Sequence, residues 1–270
     1  MKDKRFIVDT TLRDGEQSPY IAMNIRQKCD IAALLDEAGV YQIEAGIPAM
    51  GSCEIDAVRE IMKNRKKAII SVWSRLNTDD IKMCGECEAD IIHISVPVSY
   101  AQIYKKLNKN KAWVLKKLYA CIGEAQRNNS EITIGFEDAS RADMSFLIPL
   151  SVTLGELGIK RIRFADTVGV LTPVKCGELI GEFIEYSRIE TEIHAHNDFG
   201  LATANSIMAA KAGAMYIDTT IFGIGERSGN CNLRELIHSS DRLFDWGVSA
   251  LSAEILEQGY LSVMGKAPSL

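Results

Sequence analysis

Glu192-Ile193-His194-Ala195-His196-Asn197-Asp198 is the stretch on which the reading of this chain turns. The run from Ile189 to His196 reads as a β-strand. Strand side chains alternate faces, so His194 and His196 point the same way and lie close enough to share one cation. Neutral imidazole is the commonest ligand for zinc-like and other borderline metals. The chain has only four histidines, and two of them stand here. The plainer alternative is a pair of half-exposed strand histidines, and the surrounding sequence has to decide between the two.

Outward from this strand a repeating unit emerges, in which short β-branched runs alternate with longer segments of helical period. The strands expected are Phe6–Asp9, Tyr41–Ala45, Ala68–Trp73, Ile91–Val96, Ile132–Phe136, Arg161–Ala165, Glu192–His196 and Tyr216–Ile221. Helices are expected over Arg26–Ala38, Ile55–Lys63, Ala112–Arg127, Ser145–Leu157, Val174–Tyr186, Ala202–Ala212 and Leu233–Phe244. Eight strand–helix units predict an α/β fold of the (β/α)8 TIM-barrel type, with an open doubly wound sheet as the alternative. No glycine-rich dinucleotide fingerprint follows the first strand, and Gly223-x-Gly225 lies in the wrong place and lacks the third glycine. No Pro/Ser linker or low-complexity tract interrupts the chain. One catalytic barrel is expected over residues 1–250, with a short C-terminal extension over 251–270 that includes a helix from Ala253 to Tyr260.

At 270 residues the chain can bury one large core. An apolar content of 47% with 25% charged residues describes a globular protein, not a disordered or fibrous one. The net charge of −5 gives no nucleic-acid surface. The basic run Lys63 to Lys67 reads as the C-terminal end of a helix, where cations oppose the dipole. No signal peptide, transit sequence or membrane-spanning stretch is read. Seven dispersed cysteines fit a reducing cytoplasm. Cys84-Gly85-Glu86-Cys87 has C-x-x-C spacing but no second pair, and its context reads as a helix end, so two plain thiols are expected there in preference to a redox or zinc site.

In a barrel of this kind, function gathers at the C-terminal ends of the strands. The unusual polar residues fall there: Asp9 to Glu16 after the first strand, Glu44 on the second, Arg75 and Asn77 after the third, His93 and Ser95 on the fourth. Glu137 to Arg141 follow the fifth, Asp166 and Thr167 the sixth, the histidine pair ends the seventh, and Gly223 to Asn230 follow the eighth. Charged groups converging at one end are costly unless they bind something. Asp14, His194 and His196 would supply one acid and two imidazoles, Asn230 an amide oxygen, and open positions would remain for a chelating substrate. Asp198 and neighbouring carboxylates are candidate partners for the ring N–H groups. Arg13 and Arg141 suit bidentate recognition of carboxylates or stabilisation of an oxyanion, and Thr167 adds a hydroxyl. A metal beside arginines points to a small anionic oxygen ligand, a 2-oxo acid. Arg75 and Asn77 read more simply as structural.

These residues, in this order, resemble the metal-dependent acyl-CoA Claisen-condensing enzymes of the DRE-type TIM-barrel metallolyase superfamily. Asp9-Thr10-Thr11-Leu12-Arg13-Asp14-Gly15-Glu16-Gln17-Ser18-Pro19 is similar to the first signature of 2-isopropylmalate and homocitrate synthases, and His194 to Ala202 to the second. Gly225-Glu226-Arg227-Ser228-Gly229-Asn230 is similar to the glycine-rich stretch that follows. Gly46 to Gly51, Ser95 to Ser99, Lys111 to Leu115, Glu137 to Arg141 and Arg161 to Thr167 look most like homocitrate synthases of the nitrogen-fixation type.

The resemblance implies condensation of acetyl-CoA with 2-oxoglutarate to homocitrate and free coenzyme A, the homocitrate serving the nitrogenase cofactor. It implies a divalent metal (Mn²⁺, Mg²⁺, Zn²⁺ or Co²⁺) on Asp14, His194, His196 and Asn230. Arg13 would face the substrate oxygen, with Glu44 as its paired acid. Arg141 and Thr167 would grip the acceptor carboxylates, and Glu137 would position a water for thioester hydrolysis. Apart from the resemblance, a second acceptor carboxylate would want a cation such as Arg75 near the third strand, and His93 is a further candidate substrate contact. Relatives of this kind continue into a C-terminal region whose His-containing segment reaches a partner's active site. His238, in contrast, reads as a structural helix residue. A homodimer, or a complex with a second subunit carrying that region, is therefore expected. Three readings compete: condensation on 2-oxoisovalerate or pyruvate, an aldolase or lyase reaction on the same barrel, and a barrel kept as a binding or regulatory subunit.

Overall fold

The computed structural model describes residues 2–265. Ten strands are numbered in chain order: β1 (Asp3–Lys4), β2 (Phe6–Asp9), β3 (Gln42–Glu44), β4 (Ile69–Ser74), β5 (Ile91–Pro97), β6 (Glu131–Glu137), β7 (Arg161–Asp166), β8 (Glu190–Ala195), β9 (Tyr216–Thr219) and β10 (Phe244–Asp245). Strands β2 to β9 pair in parallel, each with its successor, and β9 returns to β2 through Phe6 opposite Tyr216 and Asp9 opposite Thr219. That last pairing closes the barrel and removes the open-sheet alternative. Nine α-helices are described: α1 (Ile25–Ala38), α2 (Ser52–Asn64), α3 (Thr78–Gly85), α4 (Lys111–Ala125), α5 (Met144–Glu156), α6 (Pro173–Ser187), α7 (Ala202–Ala212), α8 (Leu233–Ser240) and α9 (Ala250–Met264). None is long and apolar enough to cross a membrane.

The helix-facing sides of the strands carry the apolar core. Ile43, Ile70, Val72, Ile92, Ile94, Ile134, Phe136, Ile162, Phe164, Ile193 and Ile217 are all fully buried, each contributing roughly 1.5–3 kcal/mol. The other side of the strands points into the barrel, and its middle layer carries charged and polar groups. Arg161 on β7 donates to Gln42 on β3 at 2.7 Å, and Arg163 donates to Glu44 at 2.8 Å. Strands β3 and β7 lie opposite each other in the ring, so these bonds cross the barrel axis. Below them Phe6, Tyr41 and Tyr216 pack as an aromatic floor, with the Arg161 guanidinium 4.2 Å from the Tyr216 ring centre.

Several boundaries differ from expectation for local reasons. Helix α3 ends at Gly85, where the sequence around Cys84 reads as a helix end, and Asn77 caps its start by accepting from the Asp79 N–H, which gives Asn77 its structural role. The expected helix over Leu233–Phe244 stops at Ser240, because Phe244 and Asp245 pair with Asp3 and Lys4 in a separate two-stranded sheet. The expected strand to Ile221 ends at Thr219, where a 3₁₀ turn takes over. Lys63 does sit in the last turn of α2; beyond it the N–H groups of Lys66, Lys67 and Ala68 all donate to the Asp36 carboxylate. Helix α9 buries Ala253, Leu256 and Tyr260 and packs on α1 and α8, extending the barrel's own core past residue 250. Residues 266–270 of the expected extension lie outside the described residues.

Candidate active site

The chain leaves β2 in a tight turn in which the N–H groups of Arg13, Asp14 and Gly15 all donate to the Thr10 carbonyl, at 2.8–3.1 Å. The Asp9 carboxylate accepts from the Thr11 N–H, and the Thr11 hydroxyl accepts from Ile221. This locks Arg13 and Asp14 over the mouth. From β8, His194 projects upward inside the barrel. His196 lies just past the strand and forms a single antiparallel bridge with Asn230. Asn230 fits only because residue 225 is glycine: a Cβ there would stand 2.0 Å from the Asn230 amide nitrogen.

These residues bring three ligand atoms together. His194 Nε2 lies 2.9 Å from Asp14 Oδ2 and 3.3 Å from His196 Nε2; His196 Nε2 lies 3.8 Å from Asp14 Oδ2. All three residues are buried. Two donors bound to one cation at about 2.1 Å stand roughly 3.0–3.4 Å apart, so the imidazole pair already has ligand spacing. Neither Asp14 oxygen makes an aligned hydrogen bond despite the close approach. The Asn230 amide donates to Ile224, yet its oxygen has no partner among the described residues. Buried polar oxygens are seldom left without partners. The donor set therefore fits a divalent cation.

His194 Nδ1 is 2.8 Å from Asp218 Oδ2 on β9, the carboxylate–imidazole arrangement that fixes a metal-binding histidine. Asp198 does not do this, contrary to expectation. It pairs with Arg227 at 2.8 and 2.9 Å, and Arg227 also donates to the Thr167 carbonyl, tying the β7, β8 and β9 loops together. Burial is the largest single influence on His194 and acts to lower its pKa. Asp14 and Asp218 together reverse that and raise it to about 9. Burial, followed by the neighbouring His194, lowers His196 to about 4. Burial works against the charge on Asp14, but Arg13 and the imidazoles hold its carboxyl well below the usual range.

Arg13 donates from Nε to Glu44 at 2.5 Å and sets Nη1 3.1 Å from Asp14, with its guanidinium 5.6 Å from the Trp73 ring centre. Glu44 is fully buried, and Arg13 and Arg163 outweigh that burial to keep its carboxyl ionised. Sequence reasoning missed Arg163 as the hub. It bonds Glu44 and Glu192 and sits 3.0 Å from Asp218, so one side chain braces both Arg13's partner and His194's partner. The signal available was two arginines, at 161 and 163, on the inward face of a barrel strand.

The site opens into a cavity of about 560 Å³ lined by Arg13, Asp14, both histidines, Trp73, Arg75, His93, Trp113, Glu137 and Thr167, among others. His93 bonds Thr133 at 2.9 Å, and its ring occupies space that a Cβ on Gly135 would enter, 2.3 Å from Nε2. Burial and the nearby Arg163 hold its pKa well below the ordinary value, so it is neutral. Burial pushes Glu137 above the usual carboxylate range; its only ion pair among the described residues is with Lys106, at 3.6 Å. Thr167 accepts from the Asp138 N–H. Two expected substrate contacts are otherwise engaged. Arg75 closes on Asp80 at 2.6 and 3.1 Å while touching the cavity. Arg141 closes on Asp138 at 2.8 and 2.7 Å and is not among the lining residues. Cys84 and Cys87 are buried thiols pushed up to about 12 by that burial, and neither belongs to a metal-type cluster among the described residues.

Comparison with known proteins fits this geometry. A family model described as HMGL-like matches residues 4–244. The homocitrate synthase subunit alpha of Clostridium pasteurianum is 47% identical over 231 residues, covering 86% of each chain. The homocitrate synthase of Frankia alni is 45% identical over 84% of this chain, and 2-isopropylmalate synthase 2 of Caldanaerobacter subterraneus is 42% identical over 87%. The matches span 65% and 62% of those two longer proteins. Among solved structures, hydroxymethylglutaryl-CoA lyase from Pseudomonas aeruginosa superposes with a TM-score of 0.86 at 19% identity, covering 99% of this chain and 95% of that one, a likeness of fold.

Proposed function

The chain belongs to the HMGL-like family, and on that footing we propose that it condenses acetyl-CoA with a 2-oxo acid, 2-oxoglutarate in preference to others, giving homocitrate and free coenzyme A. The observation that carries this is the meeting of Arg13, Asp14, His194 and His196 in one cavity. Relatives named homocitrate synthase at 45% and 47% identity favour 2-oxoglutarate as acceptor. The 2-isopropylmalate synthase at 42% makes 2-oxoisovalerate the acceptor to test against it.

A divalent cation held by Asp14, His194, His196 and Asn230 would supply Lewis acidity toward the acceptor's keto oxygen. Arg13, held by Glu44 and Asp14 so that it cannot swing away, places positive charge where that oxygen becomes negative. The new bond joins the acetyl methyl carbon, after loss of a proton, to the keto carbon, and the keto oxygen takes up a proton. Water then adds to the thioester carbonyl and coenzyme A leaves as its thiol. Glu137, in the cavity wall with a raised pKa, suits the ordering of that water. We further propose that a second polypeptide completes the enzyme. The support is the clostridial relative of matching extent, which is named as a subunit.

The test is a panel of 2-oxo acids with acetyl-CoA, following thiol release with and without the product of the neighbouring gene. Faster release with 2-oxoglutarate than with 2-oxoisovalerate or pyruvate is the expected result. A preference for either of the others would refute the acceptor, and full activity of this chain alone would refute the second polypeptide.

A further inference from the structure

One feature of the mouth has no part in that chemistry. Between Lys105 and Lys117 the chain carries six lysines and no acidic residue, in a protein of net charge −5. The segment runs from the π-helical turn Ala101–Lys106, just after β5, into the start of α4. Among the described residues only two of the six meet a carboxylate within 4 Å: Lys106 with Glu137 at 3.6 Å and Lys111 with Asp143 at 3.8 Å. Trp113, on the first turn of α4, forms part of the cavity wall. The ammonium groups of Lys109 and Lys117 lie 5.7 and 6.0 Å from its ring centre.

Carboxylate partners account for Lys106 and Lys111 but not for the other four lysines. Lys111 opens α4, where the dipole disfavours a cation, and it is offset there by Asp143 at 3.8 Å and the Phe146 ring centre at 4.3 Å. Lysines crowded on one rim repel one another. An electropositive rim joined through an aromatic ring to a reaction cavity is suited to an extended anion with a flat ring and a reactive tail.

We propose that this rim anchors the phosphorylated adenosine end of the acyl-CoA. Lys105, Lys109, Lys116 and Lys117 meet the phosphates, Trp113 meets the adenine, and the thioester arm runs down the cavity toward Arg13. The inference rests on the acyl-CoA reading of the cavity. A free adenine nucleotide shares the same chemistry, and the ligands of the test separate the two.

The experiment is calorimetric titration of the metal-loaded, full-length protein with CoA, pantetheine, adenosine 3′,5′-bisphosphate and ATP. It compares wild type with Lys109→Glu/Lys117→Glu and Lys109→Gln/Lys117→Gln, with melting temperature as the check on folding. The rim predicts that CoA binds wild type at least 10-fold tighter than pantetheine does. It also predicts that charge reversal weakens CoA at least 10-fold, neutralisation weakens it less, and pantetheine changes under twofold in either variant. Equal affinity for CoA and pantetheine, or CoA binding unchanged in the reversed variant, would overturn it. ATP binding tighter than CoA would assign the rim to a nucleotide instead. Lysine-dependent CoA binding without condensation of any 2-oxo acid, even with the product of the neighbouring gene present, would refute the reaction and leave the rim standing. Condensation with an acetyl-CoA KM indifferent to the lysines would do the reverse.

Discussion

Replacing Asp218 by asparagine tests the metal site through a residue that touches no substrate. Asp218 Oδ2 is 2.8 Å from His194 Nδ1 and 3.0 Å from Arg163 Nε. As a carboxylate it holds the Nδ1 proton and turns Nε2 toward Asp14. Asparagine keeps the shape and an acceptor oxygen but not the charge, so a charge-assisted hydrogen bond becomes a neutral one of about half the strength. Loss of such a partner costs about 10–100-fold in metal affinity, or roughly 1.4–2.7 kcal/mol. Arg163 keeps Glu44 and Glu192, so the fold is expected to lose less than the site does. The assay is titration of chelator-stripped protein with Mn²⁺ and Co²⁺, with melting temperature measured in parallel. Affinity within twofold of wild type would refute the reasoning. So would a weakening fully matched by loss of stability.

Arg163→Met leaves three buried carboxylates without their shared cation, and a loss of about 3–5 kcal/mol is expected, visible as a fall in Tm of roughly 10 °C. Gly135→Ala pushes a methyl group to 2.3 Å from His93. It is expected to raise the KM for the 2-oxo acid about 10-fold while metal affinity, read by titration, stays within twofold. Asp9 is fully buried, and that burial raises its pKa from 3.8 to about 7. The folded state therefore binds its proton more tightly than the unfolded chain does, and the stability this gives is present below about pH 4 and lost as pH rises through about 7. Asp9→Asn should gain on wild type by up to about 4 kcal/mol across that window in urea unfolding, and a pH-independent difference would count against it. Replacing Cys84 and Cys87 with serine should leave bound metal, measured by elemental analysis, unchanged.

What could be read in advance and what could not divide along physical lines. The barrel strands were legible because their helix-facing positions are runs of isoleucine and valine, and the polar residues then fall at one end of each. Asp14, His194 and His196 announce themselves through type and spacing, and the structure brings them together. Helix α3 was legible only at its end, near Cys84, because Thr78–Gly85 is eight residues long with few apolar positions. Asp218 and Arg163 escaped because each looks like an ordinary strand residue, and their partners are set by closure of the barrel. Arg75, read more simply as structural, pairs with Asp80 five positions on while still touching the cavity. Arg141 pairs with Asp138 three positions back, a local pairing that the sequence also displays.

The polar stack inside the barrel also constrains the order in which the site fills. Three guanidinium groups, Arg13, Arg161 and Arg163, share their bonds with four carboxylates, Asp14, Glu44, Glu192 and Asp218. By formal charge these groups sum to one negative charge, which a proton on His194, raised against its burial to about 9 by Asp14 and Asp218, cancels in the bare cluster. A dication taking the His194 ring nitrogen would displace that proton and leave one surplus positive charge, toward which a carboxylate would be drawn in a medium of low dielectric. Charge balance therefore favours the cation before the acid.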